Sequence, residues 1–485
     1  MGFFSRKKDM DAALASSREM MQKSLETLDQ LQAQLQEQQA TIEAQKAELE
    51  ATKADCERYR EEAKRYRTEA NNALKGARAA AAAASLPEQK KAWVTEGIPT
   101  LPNPCNTYDA GENAYLLYHD KSNRSEFDNY CTALENAGFT KHCTEEMGLG
   151  IHSFYFDRKA VISVSFSQHD QVLRAVVEPV GDTKLAPLGT ICDGTPDSAK
   201  PCFVQMNDHL NDVVDCGMSY IFRLSDNSFI LMDGGWDTEP IADALYNKLR
   251  ALAGEGDIII SAWFFTHAHV DHIGAFYPFA RKYGDKVTLK RVIYNYPGES
   301  RITEMGDEFV RGYVRNFRRT LALFGDVDVI KARTGQRFHF QGLDLDQLFT
   351  YEDYMMPHPL RTFNDTSLAL LIKTADETFF FPGDASETMS GILVRKYGEG
   401  LKSDIIQVAH HGYGGGTKEL YDTAKAPIVF WPVPADHPKT GAPRYSNPEW
   451  SPITREMIRD HATVVYPQCE GTKTFLLPVR DGKEI

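Results

Sequence analysis

Three imidazoles and a carboxylate fall within six consecutive positions, in the run Thr266-His267-Ala268-His269-Val270-Asp271-His272-Ile273-Gly274. Imidazole nitrogens and carboxylate oxygens are the donors that hold zinc or a similar first-row ion. His267 and His269 alternate by two, so on extended backbone they point the same way. Asp271 and His272 follow where a turn would aim them at a second point nearby. The chain has 14 histidines in 485 residues, so this density is not the scatter expected of unrelated surface imidazoles. Farther along, Gly383-Asp384 and Ala409-His410-His411-Gly412 add donors of the same two kinds.

The elements around these residues are those that would aim them at one place. Residues 258–265 are apolar and β-rich and read as a buried strand; residues 273–283 read as a helix. The histidine run therefore sits on a strand-to-helix turn at the edge of a sheet, where loop side chains converge. Upstream, residues 219–224 and 228–232 read as two strands joined by Asp226-Asn227 and ending in Asp233-Gly234-Gly235. Downstream, Asn364-Asp365-Thr366-Ser367 leads into a hairpin of residues 368–374 and 378–381 that ends in Gly383-Asp384. Residues 404–409 form a strand that delivers His410 and His411.

The pattern H-x-H-x-D-H after a hydrophobic strand resembles the signature of the metallo-β-lactamase superfamily. Asp233-Gly234-Gly235 is similar to that family's D-G-G turn, and Asp384 matches the aspartate that bridges two metals in it. The combination of N-D-x-S at Asn364, G-D at Asp384 and A-H-H-G at His410 resembles a narrower branch. That branch holds the hydrolase domain of the DNA-uptake competence protein and the choline-binding phosphodiesterases. The resemblance covers residues 200–480. It implies an α/β fold of the metallo-β-lactamase-like αββα sandwich type. It also implies two divalent metal ions, zinc first and manganese or iron as alternatives, held by His267, His269, Asp271, His272, Asp384, His410 and His411. Superfamily members often place a further histidine between the turn and the aspartate. Here the candidates are His339, in a strand far from the expected loop, and His358, which is better placed; a site using fewer histidines is the other reading.

Two such metals sharing Asp384 and a hydroxide would hold that nucleophile ready near neutral pH for in-line attack and neutralise charge growing on a phosphoryl or carbonyl oxygen. Asp271, His410 and His411 are the candidate catalytic groups. One of the paired histidines binds metal and the other donates to the leaving group, and their spacing does not say which. Asp233 and Asn364 are either orienting partners of the metal histidines or turn residues. The glycines of Tyr413-Gly414-Gly415-Gly416-Thr417 form a plain turn or an anion cradle. The A-H-H-G resemblance favours hydrolysis of a phosphoester, a phosphodiester above all. A thioester, lactone or lactam hydrolase is the alternative enzyme. A non-catalytic scaffold, with the hydrolase fold as binding module, is the alternative from another class.

The remainder of the chain supplies the setting. Leu14, Met21, Leu28, Leu35, Ile42, Leu49, Cys56, Ala63, Ala70 and Ala77 recur at sevens, with no glycine between Gly2 and Gly76 and no proline before Pro87. That heptad pattern predicts a coiled coil over residues 1–87, stopping at Ser85-Leu86-Pro87. One such helix over residues 10–84 would reach roughly 110 Å. It could not bury its seam alone, so a homo-oligomer or a partner helix is expected. Residues 106–182 read as a small α+β domain: strands at 113–119, 151–157, 160–166 and 172–177 and a helix at 124–137. Residues 179–201 read as its connector to the catalytic domain.

The formal charge of −14 works against non-specific nucleic-acid binding but leaves a nucleic-acid substrate open. The four arginines among residues 311–319 read as a solvated helix face. No run approaches the roughly 20 apolar residues that span a bilayer, residues 1–8 have no apolar stretch after them, and the eight cysteines form no C-x-x-C pair. A cytoplasmic protein with reduced thiols is the expectation.

Overall fold

The computed structural model describes residues 97–485 apart from 112–113, 182, 208–216, 306–307, 355–359 and 434–449, together with Met21 and Gln39. The heptad segment of residues 1–87 (those two positions aside) and His358 lie outside the described residues. From Lys90 to Ile485 the chain forms one compact unit, built on three sheets.

The first sheet is wholly antiparallel. Its strands lie in the order Asn106–Gly111, Ala114–His119, Val172–Pro179, Ala160–Ser167, Gly150–Phe156 and Thr140–Met147. The helix Arg124–Asn136, capped by the Asn123 side chain accepting from the Glu126 N–H at 3.1 Å, covers one face. Its Phe127, Tyr130 and Leu134 bury against Ile162, Leu173 and Ala175. The two outermost strands were not evident from the sequence. Their residues, NTYDAG and TKHCTEEM, are polar because an edge strand needs only one neighbour and need not be apolar on both faces.

The second sheet runs Lys473–Leu476, Cys202–Gln205, Tyr220–Arg223, Phe229–Met232, Ile259–Phe264, Arg291–Tyr294, Asp328–Lys331, Thr183–Lys184. It is antiparallel over its first four strands and parallel beyond. Part of the expected connector thus belongs to a sheet, with Thr183 and Lys184 opposite Val329 and Ile330. The third sheet runs Arg337–Phe340, Leu343–Phe349, Ala369–Lys373, Thr378–Phe381, Ile405–Gln407, Ile428–Trp431, Val464–Pro467.

Alternation along these strands builds the layers. Phe222, Ile230, Met232 and Phe264 of the second sheet meet Leu370, Ile372, Phe379 and Phe381 of the third. On the opposite face of the second sheet, Phe229, Leu231 and Trp263 pack on Leu245 and Leu249 of the helix Glu239–Ala253 and on Phe276 and Phe279 of the helix Phe276–Tyr283. On the far face of the third, Leu371, Phe380 and Val429 pack on Met389 and Leu393 of the helix Glu387–Tyr397 and on Leu420 of Lys418–Ala424. The result is an α/β helix–sheet–sheet–helix sandwich with mixed sheets.

One helix differs from expectation. In place of a continuous helix over 273–283, a short helix Val270–Ile273 is followed by Phe276–Tyr283. The ladder breaks because the Asp271 and His272 carbonyls accept from the Met218 and Gly234 N–H groups, and the Ala275 N–H donates to the Gly235 carbonyl. Helical hydrogen bonds are given up to pin the histidine turn to its neighbours. Among the described residues no helix is long and apolar enough to cross a membrane.

Candidate metal centre

The neighbouring parallel strands Phe229–Met232 and Ile259–Phe264 place Asp233 beside Thr266. Asp233 takes a left-handed φ of 55°, and its buried carboxylate is fully engaged. Oδ1 accepts from the Thr266 N–H at 2.7 Å, and Oδ2 accepts from Thr266 Oγ1 and from His272 Nδ1, each at 2.7 Å. His267 lies with Nδ1 3.1 Å from Thr266 Oγ1 and 3.3 Å from Ser367 Oγ. Its Nε2 is 2.9 Å from His269 Nδ1.

The third sheet supplies the opposing residues. Asp384 follows the strand Thr378–Phe381, its N–H donating to Ser367 Oγ at 3.2 Å. Its Oδ2 lies 3.3 Å from His272 Nε2 and 3.7 Å from His267 Nε2, and its Oδ1 lies 3.6 Å from His411 Nε2. After the strand Ile405–Gln407, His410 and His411 both have positive φ, 48° and 54°, a conformation that costs L-residues energy and collects at functional sites. Gly412 completes the turn at φ 79°, and a Cβ there would come within 2.7 Å of the Trp431 ring. The bend sends the two histidines apart. His411 is buried, donates from Nδ1 to the Pro432 carbonyl at 2.8 Å and places Nε2 3.3 Å from Asp271 Oδ2. His410 is partly exposed, with Nε2 2.9 Å from Asn364 Nδ2 and 4.0 Å from Asp384 Oδ2.

Two groups of potential ligands result, His267 with His269 and Asp384, and Asp271 with His272 and His411; within each group the donor atoms all lie within 4.8 Å of one another. Asp384 reaches into both. His410 stands outside either trio, beside Asp384 and Asn364. His339 is remote from the centre, paired through Nδ1 to Asp344 at 2.8 Å.

The charge pattern asks for a cation. Burial opposes charge on His272, but Asp384, Asp271 and Asp233 around it hold its imidazolium well above the ordinary range. His411 is raised in the same way: burial opposes, and Asp384 and Asp271 prevail. Burial works against the Asp384 anion too, yet His272 and His411 hold it well below the usual carboxylate range. His267, buried and beside His272 and His269, is held neutral, as burial also holds His410.

The donor geometry agrees. His272 Nδ1 faces a carboxylate and His411 Nδ1 a carbonyl, so both Nδ1 atoms carry the proton and both Nε2 atoms offer lone pairs. Those Nε2 atoms are 3.1 Å apart. Lone pairs at that separation repel unless a proton or a cation lies between them, and Asp384 Oδ1 beside them is buried without a hydrogen-bond partner. The residues fit a divalent ion.

Ser367 is the serine of the N-D-x-S motif, whereas Thr266 and Pro432, which also hold the histidines, carry no signal of that role, since hydroxyls and carbonyls of this kind occur throughout the chain. The glycine run after His411 serves packing: a Cβ at Gly415 would come within 2.2 Å of the Ala385 carbonyl oxygen.

Residues 214–430 match the family model of the metallo-beta-lactamase superfamily. Among solved structures the chain is similar to the metallo-beta-lactamase fold protein YhfI from Bacillus subtilis, at 15% identity over 55% of this chain and 96% of that one, with a TM-score of 0.33. It is similar to Zn(2+)-bound PqqB from Methylobacterium extorquens at 12% identity, over 42% of this chain and 71% of that one, with a TM-score of 0.28. It is also similar to human tRNase Z, short form, at 12% identity, over 47% and 91%, with a TM-score of 0.27. No curated protein sequence matches.

Proposed function

We propose that this chain is a metal-dependent hydrolase of phosphoesters, phosphodiesters foremost, with a binuclear centre. The observation that carries the proposal is the single carboxylate of Asp384 lying 3.3 Å from His272 and 3.7 Å from His267, within reach of both ligand trios. His267, His269 and Asp384 would hold one ion; Asp271, His272 and His411, with Asp384 again, would hold the other. Zinc fits the nitrogen-rich donor set, with manganese or iron as alternatives. When bound, the metal pair supplies a water acidified towards neutrality and positive charge against the oxygens that turn negative during hydrolysis.

The protein's own groups do the orienting. Asp233 fixes His272, and the Pro432 carbonyl fixes His411, each in the tautomer that turns Nε2 inward. Asp271 remains ionised: burial opposes this, and His272 and His411 outweigh it. As a carboxylate it can accept a hydrogen bond from the attacking water. His411 is buried and is assigned to the metal. His410, partly exposed and steadied by Asn364, is the group that reaches a leaving-group oxygen. The preference for phosphodiesters rests on the resemblance of Asn364 to Ser367, Asp384 and His410-His411 to the DNA-uptake branch. The heptad pattern of residues 1–87 supports self-association or pairing with a partner helix, and the thiol content supports a cytoplasmic setting.

The test is turnover by the full chain reconstituted with zinc or manganese. The substrates are bis(p-nitrophenyl) phosphate, p-nitrophenyl phosphate, and a thioester and lactone pair. Hydrolysis of the diester that is lost in Asp384→Asn is the expected result. Hydrolysis of the carboxyl substrates alone would move the assignment to that class, and none at all would favour the scaffold.

A further inference from the structure

The helix Glu308–Leu321, of sequence EFVRGYVRNFRRTL, supplies no member of either ligand trio, yet it packs on the segments that shape them. Its Phe317 meets the ring of Phe265, the residue before Thr266-His267, at 5.5 Å between centroids. Its Tyr313 carbonyl accepts from the Tyr277 hydroxyl at 2.6 Å, and its Tyr313 hydroxyl donates to Asp237 Oδ2 at 3.2 Å. Asp237 in turn lies against the histidine run, since a Cβ at Gly274 would come within 2.3 Å of the Asp237 nitrogen. The helix therefore borders the short helix Val270–Ile273 that carries Asp271 and His272.

Helical spacing sorts its side chains into two faces. Val310, Phe317 and Leu321 are buried and Val314 packs on the same core. Arg311, Arg315, Arg318 and Arg319 fall together within about 100° of the circumference at 3.6 residues per turn. The inner two are anchored on the protein: Arg311 donates from Nη2 to Thr303 Oγ1, and the Arg318 guanidinium lies 5.9 Å from the centroid of the Tyr294 ring. Arg315 and Arg319 are exposed. Arg311, Arg315 and Arg319 follow one another at fours, so they climb the helix in steps of about 6 Å. The one carboxylate in the helix sequence is Glu308, at its first residue.

We propose that this arginine face is the track for the sugar–phosphate backbone of a single-stranded nucleic acid, so that the diester cleaved at the metal centre is one link of a polymer. The inference rests on the phosphodiester reading above and narrows its substrate. Like charges four residues apart oppose one another on a helix, and a chain of formal charge −14 here gathers four cations on one face beside the centre. A polyanion laid along that face relieves the repulsion. Guanidinium groups take phosphate oxygens in pairs, and an evenly spaced row suits an evenly charged polymer better than a single small anion. One row on one helix matches one strand. Contacts of this kind read backbone charge and not bases, so binding is sequence-independent and weakens steeply with salt.

The test is the salt dependence of binding to a fluorescein-labelled oligodeoxythymidine, read by anisotropy on the full chain. All proteins carry Asp384→Asn, so that the strand is not cut. Arg315→Gln with Arg319→Gln removes the two exposed charges, and thermal melting checks that the fold is kept. Arg158→Gln with Lys159→Gln removes the same charge from an exposed turn of the six-stranded sheet. The slope of log Kd against log salt is expected to fall by about 1.4 in the helix variant, at about 0.7 for each phosphate contact on a single strand. The turn variant is expected to keep the parent's slope, as is Arg315→Lys with Arg319→Lys. A helix variant with the parent's slope, an equal fall in the turn variant, or a parent that does not bind the strand overturns the inference. None of these outcomes touches the metal-dependent reading, which fails instead if the metal-loaded chain without Asp384→Asn hydrolyses no diester.

Discussion

His272 and His411 present their Nε2 atoms to each other across 3.1 Å, and neither ring can turn its other nitrogen inward without losing a buried hydrogen bond. His272 Nδ1 is 2.7 Å from Asp233 and His411 Nδ1 is 2.8 Å from the Pro432 carbonyl. Each partner accepts only, so each ring is locked as a donor at the back and a lone pair at the front. With Asp271 and Asp384 beside them, the pair is arranged for a divalent cation.

Asp233→Asn tests the lock. An amide replaces an acceptor at the point where His272 Nδ1–H and Thr266 Oγ1–H both donate, so one of its faces opposes them. Metal affinity is expected to fall by about 10- to 100-fold, read by chelator competition. An unchanged affinity would mean that His272 does not depend on Asp233 for its orientation.

Asp384→Asn and His269→Ala remove proposed ligands from opposite sides of the centre. Both are expected to abolish turnover, by more than the roughly 100-fold upper range for an outer partner, while far-ultraviolet circular dichroism stays that of the parent. Activity persisting in both would remove the proposed site.

Gly412→Ala places a methyl group within 2.7 Å of the Trp431 ring at a residue with φ 79°. Strain of this kind is of order 1–3 kcal/mol, and it falls next to His411. A lowered melting temperature together with weakened metal binding is expected; lowered melting alone would separate the turn from the centre.

His152 makes a prediction about pH. It lies buried in the strand Gly150–Phe156 with neither ring nitrogen hydrogen-bonded, in a notch that a Cβ at Gly335 would fill, 2.1 Å from its Cγ. Burial first, then Lys396, Arg174 and Arg337, against the opposing pull of Asp353, hold its pKa down to about 3 from 6.5. The unfolded chain therefore binds the proton more readily than the folded one between those values. The contribution is complete above the unfolded pKa and is lost as pH falls from 6.5 towards 3. Near pH 5 the loss is about 2 kcal/mol. Denaturant midpoints of the parent and of His152→Phe at pH 8 and pH 5 check this. The variant is expected to lose less stability than the parent, and equal losses would contradict the assignment.

The clustering of the candidate metal donors was legible because they are local. His267 to His272 fall in one turn after one apolar strand, and Asp384 and His410-His411 each end a strand whose apolar run marks it. The sandwich was legible for the same reason, since strands such as Phe229–Met232 and Thr378–Phe381 are buried on both faces and therefore continuously apolar. What could not be read depends on distant partners. Thr183–Lys184 is a strand only because Val329 and Ile330 lie beside it. Arg174 and Asp353 meet across 179 positions with no local pattern at either end. The notch that holds His152 is closed by Gly335 from a distant segment, which no pattern around His152 reveals.

Metal content per chain, measured by elemental mass spectrometry on protein purified without chelator, tests the binuclear centre most directly. Close to two equivalents, falling in Asp384→Asn, is the predicted result. No bound metal, even after reconstitution with zinc or manganese, would contradict it.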